Sequence, residues 1–359
     1  MCSHHNGPLN IQIMKHIFGV SSHLTFYIAH RIIELNSLNR DECMLFLTRN
    51  YSLPDNFNAQ YPHQVHTGYN LANSKSGRVF AGVNVFKTLR NIQEFDALID
   101  PFLQGQEFIY YTQVCSNDLT SLMATKKNCR GFYVIEDGLA SYRNFNPQTF
   151  TGVRYVAYRM ILNPLFHRIY ACKNHFITSE SPKFLGCIST LPFCFPLHQD
   201  KLQVIGLPYE TIDLGFAPDA LLSIDPLYMH FSKEDINQIY TELGRFIERK
   251  QYTTIAFKYH PNFFAAANAE VKLFFEKTIR DIFGENLIEL DKSVVLENVL
   301  KTYCCDFYTD NSSVALYGSQ MGAKCYTYKP VMRKYAPEEK FEEWYPSIPV
   351  LEKAFIPVR

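Results

Sequence analysis

The sequence predicts an α/β protein built from two Rossmann-like units in succession. Three observations lead to that fold class. Apolar, strand-like segments alternate with segments of helical spacing, the pattern of parallel sheet layered with helices. The alternation breaks at residues 207–219, which mix Pro and Gly with little periodicity, and then restarts. A chain of 359 residues also suits two domains better than one. The domains are read as residues 1–210 and 211–359, facing each other across a cleft, with the C-terminal segment expected to pack back on the first.

In the first unit, Lys15–Val20 (KHIFGV) reads as a strand, Ser21-Ser22-His23 as a polar turn, and residues 24–35 (LTFYIAHRIIEL) as a helix. Glu42–Thr48 is a second apolar strand, and residues 50–80, rich in Asn, Ser, Pro and Gly, read as irregular loop. A helix over about 83–100 precedes a strand at Glu107–Gln113, a helix near Asp118–Lys126 and a strand at Gly131–Ile135. Asn174–Glu180 and Lys201–Gly206 read as strands on either side of a Pro-broken loop at 189–200.

In the second unit, Ala220–Ile224 is a strand. Residues 232–250 form a helix opened by Ser232, with acids in its first turn and basic residues in its last. A strand over 253–259, a helix over about 264–283, a strand at 286–290 and a short helix at 294–303 follow. The unit continues with a strand at 304–310, a helix opened by Ser312-Ser313 and a closing strand at Lys324–Tyr328.

Composition narrows the functions. Lys plus Arg and Asp plus Glu number 35 each, so the net charge of zero excludes broad electrostatic capture of nucleic acid. The 10 cysteines lack framework spacing, the mark of reduced thiols in a cytoplasmic protein. No apolar run reaches the roughly 18–20 residues of a membrane span, and the first residues carry no basic-then-apolar leader. The expectation is a soluble, cytoplasmic protein. Peripheral attachment at the inner membrane stays open, because it needs no spanning segment.

In open parallel sheets, ligands bind at the carboxyl ends of strands. Three such ends carry polar chemistry: Glu136-Asp137-Gly138, then Lys258 with His260-Pro261, then Asp310-Asn311-Ser312-Ser313. Singly, each has a structural explanation: a turn with a φ > 0 glycine, a chain leaving its sheet, a helix cap. Together they form a chemical set. A helix start with two hydroxyls is an anion site. A histidine offers a phosphate a positive charge or a proton. A carboxylate takes the proton of an incoming hydroxyl. That is an arrangement for moving a sugar from a nucleotide carrier to an alcohol. No Asp-x-Asp occurs, the usual cradle for a metal bridging a nucleoside diphosphate.

These motifs resemble those of bacterial sialyltransferases and polysialyltransferases of GT-B architecture. That family carries an acidic pair plus Gly in its first domain, and His-Pro and Ser-Ser motifs in its second. The resemblance covers about residues 107 to 330. It implies an inverting transfer of sialic acid, or a related nonulosonic acid, from a CMP-sugar to a hydroxyl of a surface glycan such as capsule or lipooligosaccharide, with no metal or other cofactor required. Asp137 would be the base for the acceptor hydroxyl. His260 would stabilise or protonate the departing CMP phosphate, and Ser312 and Ser313 would hydrogen-bond it. Glu297 would hold the ribose hydroxyls, while Gly138 and Pro261 complete their motifs.

Adjacent residues at a strand end point in opposite directions, so only one of Glu136 and Asp137 faces the reacting centre. The resemblance assigns catalysis to Asp137. Glu136 is left in support, bonding backbone N–H groups or raising its neighbour's pKa. CMP-Kdo, CMP-legionaminate or CMP-pseudaminate would use the same phosphate contacts. A UDP-sugar transferase or epimerase, and a non-catalytic sugar- or nucleotide-binding protein, are the other readings. His4, His5, His63 and His66 lack Cys or carboxylate partners at ligand spacing, so no metal site is assigned to them. Ser21-Ser22-His23 reads either as a helix cap or as a lining of the acceptor side. Lys258 reads either as a source of positive potential near phosphate or as an exposed strand edge.

Overall fold

A computed structural model describes residues 14–48, 51–66, 85–113, 118–142, 181–264, 266–284 and 287–358. The chain divides into two compact units, Met1–Pro208 and Tyr209–Arg359.

The first unit holds strands β1 (Lys15–Val20), β2 (Cys43–Leu47), β3 (His63–His66), β4 (Phe108–Thr112), β5 (Cys129–Ile135), β6 (Phe184–Ser189) and β7 (Leu202–Val204). They form one parallel sheet in the order β3-β2-β1-β4-β5-β6-β7. Among the described residues its helices are α1 (His23–Leu35), α2 (Asp55–Asn58), α3 (Val85–Leu103) and α4 (Asp118–Thr125). Strands covered on both faces read as unbroken apolar runs, and β2 (CMLFL) is buried at every residue. Ile17, Met44, Phe46, Phe108, Tyr110, Phe132 and Val134 form the core with Ile99 and Phe102 of α3.

Ser22 caps α1 with a reciprocal box. Its Oγ accepts the Thr25 N–H at 3.3 Å, while Thr25 Oγ1 accepts the Ser22 N–H at 3.0 Å. The polar turn at 21–23 is therefore a cap. Two expectations are corrected here. Residues 50–80 contain α2 and the strand β3, whose sequence HQVH is polar because it lies at the sheet edge and is only partly buried. The strand β6 was not expected: Gly186 interrupts its pattern, and the loop placed at 189–200 begins where it ends. The strand expected at Asn174–Glu180 lies outside the described residues.

The second unit holds β8 (Ala220–Ile224), β9 (Ile255–Tyr259), β10 (Leu287–Glu289), β11 (Asp306–Thr309), β12 (Cys325–Thr327) and β13 (Phe355–Pro357), all parallel, in the order β10-β9-β8-β11-β12-β13. Its helices are α5 (Lys233–Glu248), α6 (Ala269–Phe283), α7 (Leu296–Tyr303), α8 (Val314–Gln320), α9 (Lys329–Arg333), α10 (Glu338–Trp344) and α11 (Pro349–Ala354). Ser232 caps α5 with Asp235 in a second box, as its sequence signature predicts. The chain does not close at Tyr328. Three short helices lead to β13, which pairs with β12, so the described end of the chain belongs to the second sheet.

In each unit the first six strands follow the Rossmann order 3-2-1-4-5-6, which opens a crevice at the carboxyl ends of its first and fourth strands. Among the described residues the cysteines are free thiols, and no helix is long and apolar enough to cross a membrane.

Candidate functional site

In the first unit, β5 ends at Ile135 and the doubled acid follows. Glu136 is 0% exposed. Its carboxylate accepts the Tyr142 hydroxyl on one oxygen, and on the other the Thr190 N–H and Oγ1–H, each at 2.8 Å. A carboxylate with three donors around it is an anchor. It ties the turn of Gly138–Tyr142 to the chain just beyond β6. Asp137 is only partly buried, and its N–H donates to Ser141 Oγ at 2.9 Å. Gly138, at φ 66°, takes the left-handed conformation that starts the turn. The two neighbours thus divide their work: Glu136 points inward and holds the loop, and Asp137 is left at the strand end.

In the second unit, four adjacent strands each deliver the residue immediately after their last one to the same edge. These are His260 after β9, Asp225 after β8, Asp310 after β11 and Tyr328 after β12. Backbone bonds keep them in register. His260 N–H donates to the Ile224 carbonyl at 2.9 Å, and Tyr328 N–H to the Thr309 carbonyl at 3.2 Å. Asp225 is the hub. Its Oδ1 accepts Ser223 Oγ–H at 3.0 Å, and its Oδ2 accepts Thr309 Oγ1–H at 3.0 Å, Asp310 N–H at 3.1 Å and the Tyr328 hydroxyl at 3.1 Å. Asp310, 8% exposed, has its carboxyl driven well above the usual range by burial, then by the Asp225 charge beside it.

His260 is held below the ordinary imidazole range by burial, with the Asp225 carboxylate opposing and the Lys258 ammonium assisting. Its Nδ1 accepts the Asn262 N–H at 3.2 Å, which assigns the proton of the neutral ring to Nε2. Pro261 opens the short turn Pro261–Phe264 that supplies this N–H. Ser312 and Ser313 are partly buried beyond Asp310. Ser312 Oγ accepts the Val314 N–H at 3.3 Å, leaving its own O–H to donate. α8 is only 7 residues long, too short for an aligned macrodipole to carry an anion site. The expectation of a helix-terminus site is corrected to one of two hydroxyls on a tight turn.

Lys258 is not at an exposed edge, because β9 lies between β8 and β10. Its ammonium donates to the Val294 carbonyl, and its pKa is lowered by burial against the charges of Glu297 and Asp291. Glu297 is buried in the first turn of α7, where its charge supports that ammonium. Of the histidines considered for metal, His63 and His66 lie on β3, and His4 and His5 fall outside the described residues. Sequence reading missed Asp225 and Tyr328. The signal was present: each directly follows a strand, as His260 and Asp310 do.

No family model matches the sequence, and no curated protein matches it. Among solved structures, the chain is similar to a proposed UDP-N-acetylglucosamine 2-epimerase from Listeria monocytogenes. The two share 9% identity over 97% of this chain and 93% of that one, with a TM-score of 0.52. It is also similar to UDP-GlcNAc 2-epimerase from Methanocaldococcus jannaschii, at 12% identity over 95% and 91% of the two chains and a TM-score of 0.43. A third is CalG4, the calicheamicin glycosyltransferase, at 10% identity over 92% and 83% and a TM-score of 0.47. At 9% identity the likeness to the Listeria protein, with its TM-score of 0.52, establishes the fold alone. It is the GT-B type, with two parallel-sheet α/β units in succession.

Proposed function

We propose that this chain is an inverting glycosyltransferase that moves sialic acid, or a related nonulosonic acid, from a CMP-sugar to a hydroxyl of a surface glycan acceptor. One observation carries the reading. His260 and the Asp310–Ser313 turn end β9 and β11, the two strands that flank β8, at the carboxyl edge of one sheet. Asp137 takes the proton of the acceptor hydroxyl as its oxygen bonds to the anomeric carbon. The bond from that carbon to the phosphate oxygen breaks, and CMP leaves with the electron pair. A single phosphate gathers modest charge, which neutral donors can meet: the Nε2–H of His260 and the hydroxyls of Ser312 and Ser313. Burial lowers the His260 pKa, so the ring is neutral near pH 7 and stabilises the leaving group by hydrogen bonding rather than by proton transfer. Glu297 keeps its proposed place toward the ribose.

A second reading has one observation in its favour: the solved structure of like fold named above is named for a UDP-sugar. It would make this chain a UDP-sugar transferase or epimerase. Incubating the protein with a panel of CMP- and UDP-sugars, with and without EDTA, and measuring released nucleotide separates the two. CMP release from a nonulosonate donor, undiminished by EDTA, is expected. UDP release without CMP release would sink the first reading.

A further inference from the structure

At the crevice of the second sheet, two carboxyl groups are buried side by side: Asp225 at 5% exposure and Asp310 at 8%. They end β8 and β11, the strands where the order of the sheet reverses. With Asp225 Oδ2 accepting the Asp310 N–H at 3.1 Å, the two carboxyl groups are buried close together, where like charge and desolvation disfavour ionising both and favour one proton held between them. The surroundings say where it sits. Asp225 accepts four hydrogen bonds, three of them on one oxygen, from Ser223, Thr309, Asp310 and Tyr328. Asp310 accepts the Asn311 N–H and faces Asp225, so a proton on its carboxyl has an acceptor waiting. We propose that Asp225 and Asp310 form a one-proton acid pair, Asp310 carrying the proton and Asp225 the charge, and that Asp225 is the positioning residue joining His260 to the Asn311–Ser313 turn.

The consequence is electrostatic and geometric at once. Asp225 fixes the start of the turn that bears Ser312 and Ser313, through the Asp310 N–H. Its charge faces His260 from the neighbouring strand and opposes the burial that drives the ring neutral. Lys258, on the histidine's own strand, acts in the other direction. The acid pair is faced by Tyr240 of α5, Tyr328, Tyr345 beyond α10 and Lys329 of α9. The three tyrosines are pushed upward by burial and stay neutral in the working range. A doubly ionised pair would set two negative charges beneath a turn meant for phosphate; the shared proton halves that. This last role rests on the transferase reading, whereas the proton count and the His260 titration do not.

The experiment is NMR titration of the His260 ring in the full chain, without substrate, beside an infrared difference spectrum of protonated carboxyls. Asp225→Asn should lower the His260 midpoint by about one pH unit or more, because an opposing charge is removed. Asp310→Asn replaces a neutral acid by a neutral amide that still donates to Asp225. It should leave the midpoint unchanged while deleting a protonated-carboxyl C=O band seen in the wild type at pH 7. An unchanged midpoint in folded Asp225→Asn, a shifted one in Asp310→Asn, or no band lost in Asp310→Asn each overturns the proposal. Should Asp225→Asn fail to fold, the Asp310→Asn arms decide alone. Titrations as expected in a protein that releases no nucleotide from any sugar would support the acid pair and remove only the transferase reading.

Discussion

At residue scale, Glu136 and Asp137 are neighbours with different fates. Their sequence marks a strand end with two acids, and alternation says that only one can face inward. It cannot say which, because the deciding partner, Thr190, lies 54 residues along the chain. The structure makes Glu136 the anchor, and two variants separate the roles. Glu136→Ala strands buried donors and should cost about 1–3 kcal/mol or more in urea unfolding. Asp137→Asn should leave unfolding nearly unchanged yet lower turnover about a hundred- to ten-thousand-fold, with CMP affinity retained. Full activity in Asp137→Asn would remove it as the base. The acid limb of the rate profile tests His260. Protonation at Nδ1 ends its bond from the Asn262 N–H, which orients the ring and its Nε2–H, so activity should hold across the neutral range and fall only on the acid side, as pH drops through the depressed pKa. A rate that instead falls on raising the pH from 6 to 8 would mean that the charged ring is the working form.

At the scale of elements, legibility followed burial for the inner strands, while the edge strands β7 and β10 were read in spite of their exposure. β1, β2, β4, β8 and β9 sit inside their sheets, and their mainly apolar runs announce them. The cap of α5 was equally plain, since both ends of its box lie within four residues, whereas the turn before α1 read either as a cap or as an acceptor lining until the structure showed its box. β3 is an edge strand with a polar face, and β6 is broken by Gly186, so local pattern lost them both. Gly186 shows why such a break is kept. At φ 148° a Cβ there would lie 2.6 Å from the backbone carbonyl oxygen of Lys201, just before β7. Backbone cannot yield as a side chain can, so Gly186→Ala should destabilise the protein by about 1–3 kcal/mol. Ser232→Ala, which loses only a cap, should cost about 1 kcal/mol. If Gly186→Ala unfolds at the wild-type urea midpoint, the close approach of β6 to Lys201 is wrong.

At the scale of the molecule, the same strand order appears twice, and the second unit gathers its polar residues where that order reverses. The sequence disclosed this edge in pieces, through His260 and Ser312-Ser313. The hub was hidden, because Asp225 follows an ordinary apolar strand and its importance lies in partners up to 103 residues away. If the edge is a CMP site, the free nucleotide should stabilise the folded chain by mass action, about 2.7 kcal/mol at a hundred times its Kd. His260→Ala should weaken that stabilisation, since it removes the one ring donor. Hydrogen exchange should then slow in segments 257–264 and 309–316, the two strand ends that would hold the phosphate. UMP and UDP serve as controls. Stabilisation by UDP with CMP silent would place the chain with the UDP-sugar enzymes. Slowing confined to residues 15–48, with none at these two strand ends, would move the nucleotide to the first sheet.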